Sequence, residues 1–169
     1  MFNNRYLFFL ILVFFSSTLL AQDDFFHTSL GDYREELEIA ADENKKAIMI
    51  FFQMDECPFC HWMKKNVLNQ KKVQKYFKKH FHLLSHDIEG DVEITDFDGK
   101  VTTQKDFATK QHRVRATPVI AFFDLSGNKV TKFTGRTSTA EEFILLGQYV
   151  ETKAYQKMKF SKYKRLNKS

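Results

Sequence analysis

The chain has 169 residues, of which 43% are apolar and 28% charged, and its formal net charge is +5. This fits one globular domain with a buried core. The positive excess is mild and local: seven Lys or Arg and no acid lie between Lys153 and Ser169, with Tyr155, Phe160 and Tyr163 among them. No nucleic-acid-binding motif accompanies these cations. They read as a basic C-terminal tail over 153–169 whose charges suit the negative end of a helix, with weak attachment to an anionic membrane surface as the sharper alternative.

The chain opens with Arg5, an apolar run from Tyr6 to Phe15, and then Ser16, Ser17, Thr18, Leu19, Leu20 and Ala21. A charged start, a short apolar middle and a small-residue end are the order of a signal peptide for export. Removal of residues 1–21 is expected, leaving a folded domain over 22–152 outside the cytoplasm, periplasmic in a bacterium. An uncleaved membrane anchor is the alternative, but the run falls short of the roughly 20 residues a spanning helix needs.

Asp32 and Glu35 resemble a capping box, and Tyr33, Leu37, Ala40 and Ala41 recur at helical spacing, so a helix ends near Asn44. Ala47 to Gln53 is a nearly continuous apolar run, which predicts a strand buried on both faces in mid-sheet. It feeds Cys57-Pro58-Phe59-Cys60-His61-Trp62, where a helix begins with Phe59, Met63 and Val67 four residues apart; Pro58 suits a first turn, because its missing N–H has no intrahelical partner there. Lys71 to Lys79 reads as an amphipathic helix and Phe81 to Ile88 as a second central strand, parallel to the first. Glu89 to Thr102 is polar, turn-rich and looks like a surface insertion with a hairpin tip at Asp96 to Lys100. Thr103 and Asp106 cap a short helix to about His112. Val119 to Leu125 and Lys129 to Thr134 form a hairpin that Gly135 ends, and Thr139 with Glu142 caps the last helix, whose apolar face is Phe143, Leu146, Gly147 and Val150. The 19 Phe residues are core filler and leader.

Two cysteines three residues apart close too small a loop to stabilise a fold much, whereas a reversible redox pair needs this spacing. At a helix start the first sulfur meets the positive end of the helix and unpaired N–H groups, which favour thiolate. Cys57 is then the nucleophile, and Cys60, one turn on and shielded, resolves the mixed disulfide. The other proline, Pro118, precedes the third apolar strand. Its bond to Thr117 is a candidate cis peptide that can offer backbone to an extended substrate. Phe59 lies between the cysteines and Trp62 just after them, and both are candidate substrate contacts.

The order helix, strand, Cys-Pro-Phe-Cys, helix, strand, helix, Thr-Pro, hairpin, helix resembles the thioredoxin superfamily, an α/β fold with a central mixed sheet and helices on both faces. More narrowly, Phe51 to Leu68, Asp96-Phe97-Asp98-Gly99, Thr117-Pro118 and Phe122 to Gly135 resemble the exported SoxW-type thioredoxins. The resemblance implies a reductase of disulfides in exported proteins, re-reduced by a membrane electron donor; no cofactor or metal is expected, and a monomer is the default because no coiled-coil pattern appears. It also places Pro118 in the substrate platform. One departure stands out: the family's buried acid, six residues before the first cysteine, is replaced by Phe51. Proton transfer at Cys60 then falls to water or to Asp55, Glu56 or Asp87. The Glu56 charge beside Cys57 is expected to raise the thiol pKa and weaken oxidising power.

Rival readings remain, one of them a thioredoxin-fold binding module without turnover, against which the intact cysteine pair stands. An oxidase or isomerase of the same fold differs in potential, which two intervening residues do not reveal. Cys57-Pro58-Phe59-Cys60-His61 also satisfies the attachment motif of c-type haem. His80, His82 and His86 invite a zinc site with the cysteine pair, against which ordinary surface histidines are the expectation, and His27 and His112 have no sequence context.

Overall fold

The computed structural model describes residues 25–167. The leader expected over 1–21 lies outside them. Helix α1 (Tyr33–Asp42) starts because the Asp32 carboxylate accepts from the backbone N–H groups of Arg34 and Glu35, two of the four donors a helix start leaves unpaired. It buries Tyr33, Glu36 and Ala40, and the chain turns at Asn44 with φ 56°.

Strand β1 (Ala47–Gln53) follows, buried throughout except at Gln53. Next come α2 (Pro58–Met63), continuing through a π-helical turn at Lys64–Leu68, then α3 (Lys71–His80) and β2 (Phe81–Asp87). A small hairpin of β3 (Glu93–Thr95) and β4 (Val101–Thr103) leads to the short α4 (Gln104–Asp106), whose N-cap Thr103 accepts from Asp106 N–H. Strands β5 (Val119–Phe123) and β6 (Lys129–Thr134) and helices α5 (Ala140–Glu151) and α6 (Phe160–Leu166) complete the order. The main sheet runs β2-β1-β5-β6, with β1 and β2 parallel and the other pairs antiparallel.

Because alternate residues of a strand face opposite sides, β1 divides the core in two. Ala47, Met49 and Phe51 join Phe77, Phe122, Phe143, Leu146 and both cysteines on one face. Ile48, Ile50 and Phe52 join Tyr33, Leu84, Phe107 and Phe123 on the other. Helices α3 and α5 meet closely on the first face, where a Cβ on Gly147 would sit 2.6 Å from a Tyr76 ring carbon. Thr139 caps α5 by accepting from Glu142 N–H at 3.1 Å, and the Glu142 carboxylate returns to Ser138 N–H at 2.8 Å, one residue earlier than a capping box predicts.

The structure corrects several expectations. β2 is an edge strand, not a second central one. It is nevertheless buried, because the N-terminal segment covers it: His27 N–H donates to Leu83 O at 2.8 Å and Leu83 N–H donates to His27 Nδ1 at 3.0 Å. The 89–102 insertion is not simply a surface loop. Phe97 packs on Phe123 and Tyr33, with ring centroids 4.7 and 5.3 Å apart, and Asp96 is buried, accepting from Asp98 N–H, Lys100 N–H and Gln111 Nε2. Nor is α5 the last helix. Aromatic residues of the basic segment fold back as α6, with Phe160 and Tyr163 at 5.4 and 5.3 Å from the Tyr149 ring, and Lys164 pairs with Glu142. Among the described residues no helix is long and apolar enough to cross a membrane.

Candidate active site

The cysteine pair sits where β1 gives way to α2. Cys57 is the N-cap residue, extended at φ −121° and ψ 93°, and Pro58 is the first helical residue. The two sulfurs are joined in a disulfide with their Cα atoms 5.2 Å apart. Cys60 N–H donates to Cys57 Sγ at 3.0 Å. In the reduced protein the same N–H is placed to stabilise a thiolate on Cys57, as the helix terminus does. Cys57 and Cys60 are 2% and 1% exposed, so burial does not tell them apart; position on the helix start does.

Pro118 enters β5 beside this junction. Phe52 near the end of β1 pairs with Val119 at the start of β5, so the Cys57 loop and the Thr117-Pro118 segment leave the sheet at the same end. The Thr117–Pro118 bond is cis. Pro118 is buried, its carbonyl accepts from Gly135 N–H at 2.9 Å, and the Thr117 hydroxyl is buried without a hydrogen-bond partner among the described residues. Phe59 does not share the buried stripe of Met63 and Val67; it is 56% exposed. The half-buried Trp62 lies next to it on α2.

Sequence reasoning missed Arg136. Its guanidinium lies 4.3 Å from the Trp62 ring centre and 5.6 Å from that of Phe59, a cation held on two ring faces. The contact spans more than seventy positions of chain, and no local pattern announces it. Thr137 beside it is fully buried, with its hydroxyl 3.6 Å from Met63 Sδ. Beneath the disulfide, Phe51 is fully buried in the same apolar cluster as both cysteines. Asp55 and Glu56 are exposed, and Asp87 lies at the end of β2.

The histidines do not join the cysteines. His82 and His86 lie on alternate positions of β2 facing α1, whereas the cysteines belong to the opposite core face. They are not surface residues either, at 2% and 1% exposure. His82 Nε2 is 2.6 Å from Glu36 Oε2. Tyr33 OH donates to His86 Nδ1 at 2.5 Å and His86 Nε2–H donates to Gln104 O at 2.8 Å. Burial pushes His86 down to about 4 despite the Gln104 bond. His80 pairs with Glu151 at 3.2 Å. His112 packs among Phe52, Phe107 and Phe123 and is also pushed down to about 4, chiefly by burial and then by Lys129. His61, the axial candidate of the haem motif, directs Nε2 to Asp55 O at 2.9 Å, and both cysteine sulfurs are bonded to each other.

A mixed sheet with helices on both faces and a disulfide at the strand-to-helix junction defines an α/β protein of the dithiol type. A thioredoxin-like domain model matches residues 33–151, so the chain belongs to the thioredoxin-like family. Its fold is similar to a thioredoxin-fold protein from Helicobacter pylori (20% identity, TM-score 0.59, covering 73% of this chain and 84% of that one). A thioredoxin from Thermus thermophilus aligns at 20% identity and TM-score 0.54, over 75% and 88% of the two chains. The C-terminal domain of DsbD from Neisseria meningitidis, in its oxidised form, aligns at 16% identity and TM-score 0.51, over 69% and 90%. No curated protein sequence matches the chain.

Proposed function

We propose that this chain is an exported thiol–disulfide oxidoreductase that reduces disulfides in exported proteins. The observation that carries the reading is the Cys57–Cys60 pair at the first turn of α2, with Cys60 N–H on Cys57 Sγ. In the reduced form the Cys57 thiolate attacks one sulfur of a substrate disulfide. The other substrate sulfur leaves as a thiolate, and a mixed disulfide forms. Cys60, as thiolate, then attacks Cys57 Sγ and releases the second substrate thiolate. Two electrons pass to the substrate and the Cys57–Cys60 disulfide is left, to be reduced by a dithiol donor at the membrane.

Thr117 and Pro118 supply the backbone platform for the substrate segment, and Phe59 and Trp62 its apolar contacts. The exposed Phe59 ring, and the entry of Thr117-Pro118 into β5 at the sheet end that carries Cys57, support that assignment. Family membership and the leader-like residues 1–21 support a periplasmic monomer of the SoxW type acting on cysteine-containing exported partners. With Phe51 in place of a buried carboxylate, the proton at Cys60 is exchanged with water.

The test is a redox titration of the full chain in glutathione or dithiothreitol buffers, with an absorption spectrum on the same sample. A two-electron transition near about −270 mV supports a reductase; one near −120 mV reassigns the chain to disulfide formation. A Soret band without any thiol–disulfide transition overturns the reading in favour of a haem carrier. Cys60→Ser is expected to accumulate mixed disulfides on Cys57, and Cys57→Ser to accumulate none.

A further inference from the structure

Away from the redox pair, three segments distant in sequence converge on the edge strand. His27 comes from the N-terminal segment, Glu43 from the end of α1 and His82 from β2, and one ligand atom from each lies within 4.8 Å of the others. The two imidazoles stack with centroids 4.3 Å apart at an angle of 6°.

His82 is 2% exposed, and its Nε2 is held at 2.6 Å by Glu36 Oε2. With the proton on Nε2, Nδ1 carries a lone pair. That atom is buried, has no hydrogen-bond partner among the described residues and lies 3.9 Å from Glu43 Oε2. A buried acceptor left unpaired is costly and calls for an explanation. A carboxylate gripping one imidazole nitrogen while the other points at further donors is the arrangement that orients metal-binding histidines.

His27 completes the pattern. Its Nδ1 lies 3.1 Å from Leu83 O as well as 3.0 Å from Leu83 N. With Nδ1 accepting from Leu83 N–H, Nε2 holds the ring proton; ion binding at Nε2 moves that proton to Nδ1, which then donates to Leu83 O. Two carboxylates, Glu36 and Glu43, balance a divalent cation. Lys45 Nζ, 3.4 Å from Glu43, also donates to Lys78 O at 2.7 Å and keeps that partner when the ion takes the carboxylate.

We propose that His27, Glu43 and His82 bind a divalent transition-metal ion of the zinc type, with Glu36 orienting His82 and water as fourth ligand. Two imidazoles and a carboxylate suit zinc. A tetrahedral ion needs ligand atoms about 3.3 Å apart. Parallel rings do not aim two nitrogens at one point, so the half-buried His27 ring turns out of its stack on His82, and the exposed Glu43 moves in, when the ion binds. The bound ion ties the N-terminal segment and the end of α1 to β2. It stabilises the fold, takes no part in thiol exchange and does not depend on the redox assignment.

The experiment is calorimetric titration of Zn²⁺ into the chelator-stripped full chain, kept oxidised so that no thiolate competes. One equivalent is expected to bind and to raise the thermal midpoint. Co²⁺ is expected to give a tetrahedral d–d spectrum. His27→Ala and Glu43→Gln are expected to weaken binding at least about 10-fold, and Glu36→Gln by about 10- to 100-fold. Glu43 is exposed, so Glu43→Gln keeps the metal-free midpoint near that of the unsubstituted chain and its loss of binding is not a folding defect. Failure of the oxidised chain to bind Zn²⁺ saturably overturns the proposal. So does affinity unchanged by both His27→Ala and Glu43→Gln, which would put the ion elsewhere.

Discussion

Acidification to about pH 5 should destabilise this protein through His86, and the loss can be worked from its surroundings. Buried between Tyr33 and Gln104, the ring accepts at Nδ1 and donates at Nε2, so the neutral form is fully paired and a second proton has no acceptor without turning the Tyr33 hydroxyl. Its folded pKa of about 4 lies below the ordinary imidazole value of 6.5, so the unfolded chain takes up the proton first. The stabilisation is therefore complete above pH 6.5, is lost as pH falls from there toward 4, and changes no further below. Linkage gives a loss of about 3 kcal/mol in full and about 2 kcal/mol between roughly pH 7 and pH 5. The lowered carboxyl groups of Glu36 and Glu142, in which hydrogen bonds outweigh burial, add their losses only at lower pH. Urea unfolding at the two pH values measures the difference. Tyr33→Phe combined with His86→Leu removes both partners, so no hydroxyl is orphaned, and should cut the loss to the share due to the other lowered imidazoles, His27, His80 and His112. An undiminished loss in the double variant would refute the reasoning.

Other consequences follow from single contacts. Thr139→Ala removes the oxygen that receives Glu142 N–H and should cost about 1 kcal/mol, read as a lower thermal midpoint. Phe160→Ala should cost about 2 kcal/mol because its half-buried ring lies against Tyr149 and Phe133; an unchanged urea midpoint would mean that α6 adds nothing to stability. Arg136→Ala should alter stability by less than about 1 kcal/mol yet change the KM for protein disulfides, because the guanidinium covers Trp62 and Phe59. Glu56→Gln should raise the reduction potential measured in glutathione buffers, since it removes a negative charge next to the Cys57 thiolate.

Elements set by local chemistry are legible in the residues themselves. The unbroken apolar run at 47–53 is a strand enclosed on both faces, and Asp32, Thr103 and Thr139 are helix caps. Cys57 and Cys60 stand out because their spacing and the helix after them are a local pattern. Phe59 is harder to read: four-residue spacing places it with Met63 and Val67, but helical spacing does not say where the packed face ends, and it is 56% exposed.

Contacts across the chain are not legible in this way. His82 and His86 are polar residues in a strand and read as surface positions until Glu36 and Tyr33, on a helix far earlier in the chain, are brought against them. The same holds for Arg136 on Trp62 and for the aromatic residues of the basic segment, whose partner Tyr149 sits on the preceding helix. The sequence by itself determined most of the elements up to α5, their order and the cysteine pair, because apolar periodicity, capping side chains and a three-residue cysteine spacing act over one or two turns of chain. Only the tertiary structure decided that β2 lies at the sheet edge under the N-terminal segment, and which polar groups are buried with partners. Both depend on strand order and helix docking, which balance burial over the whole core and leave no trace in any short stretch of residues.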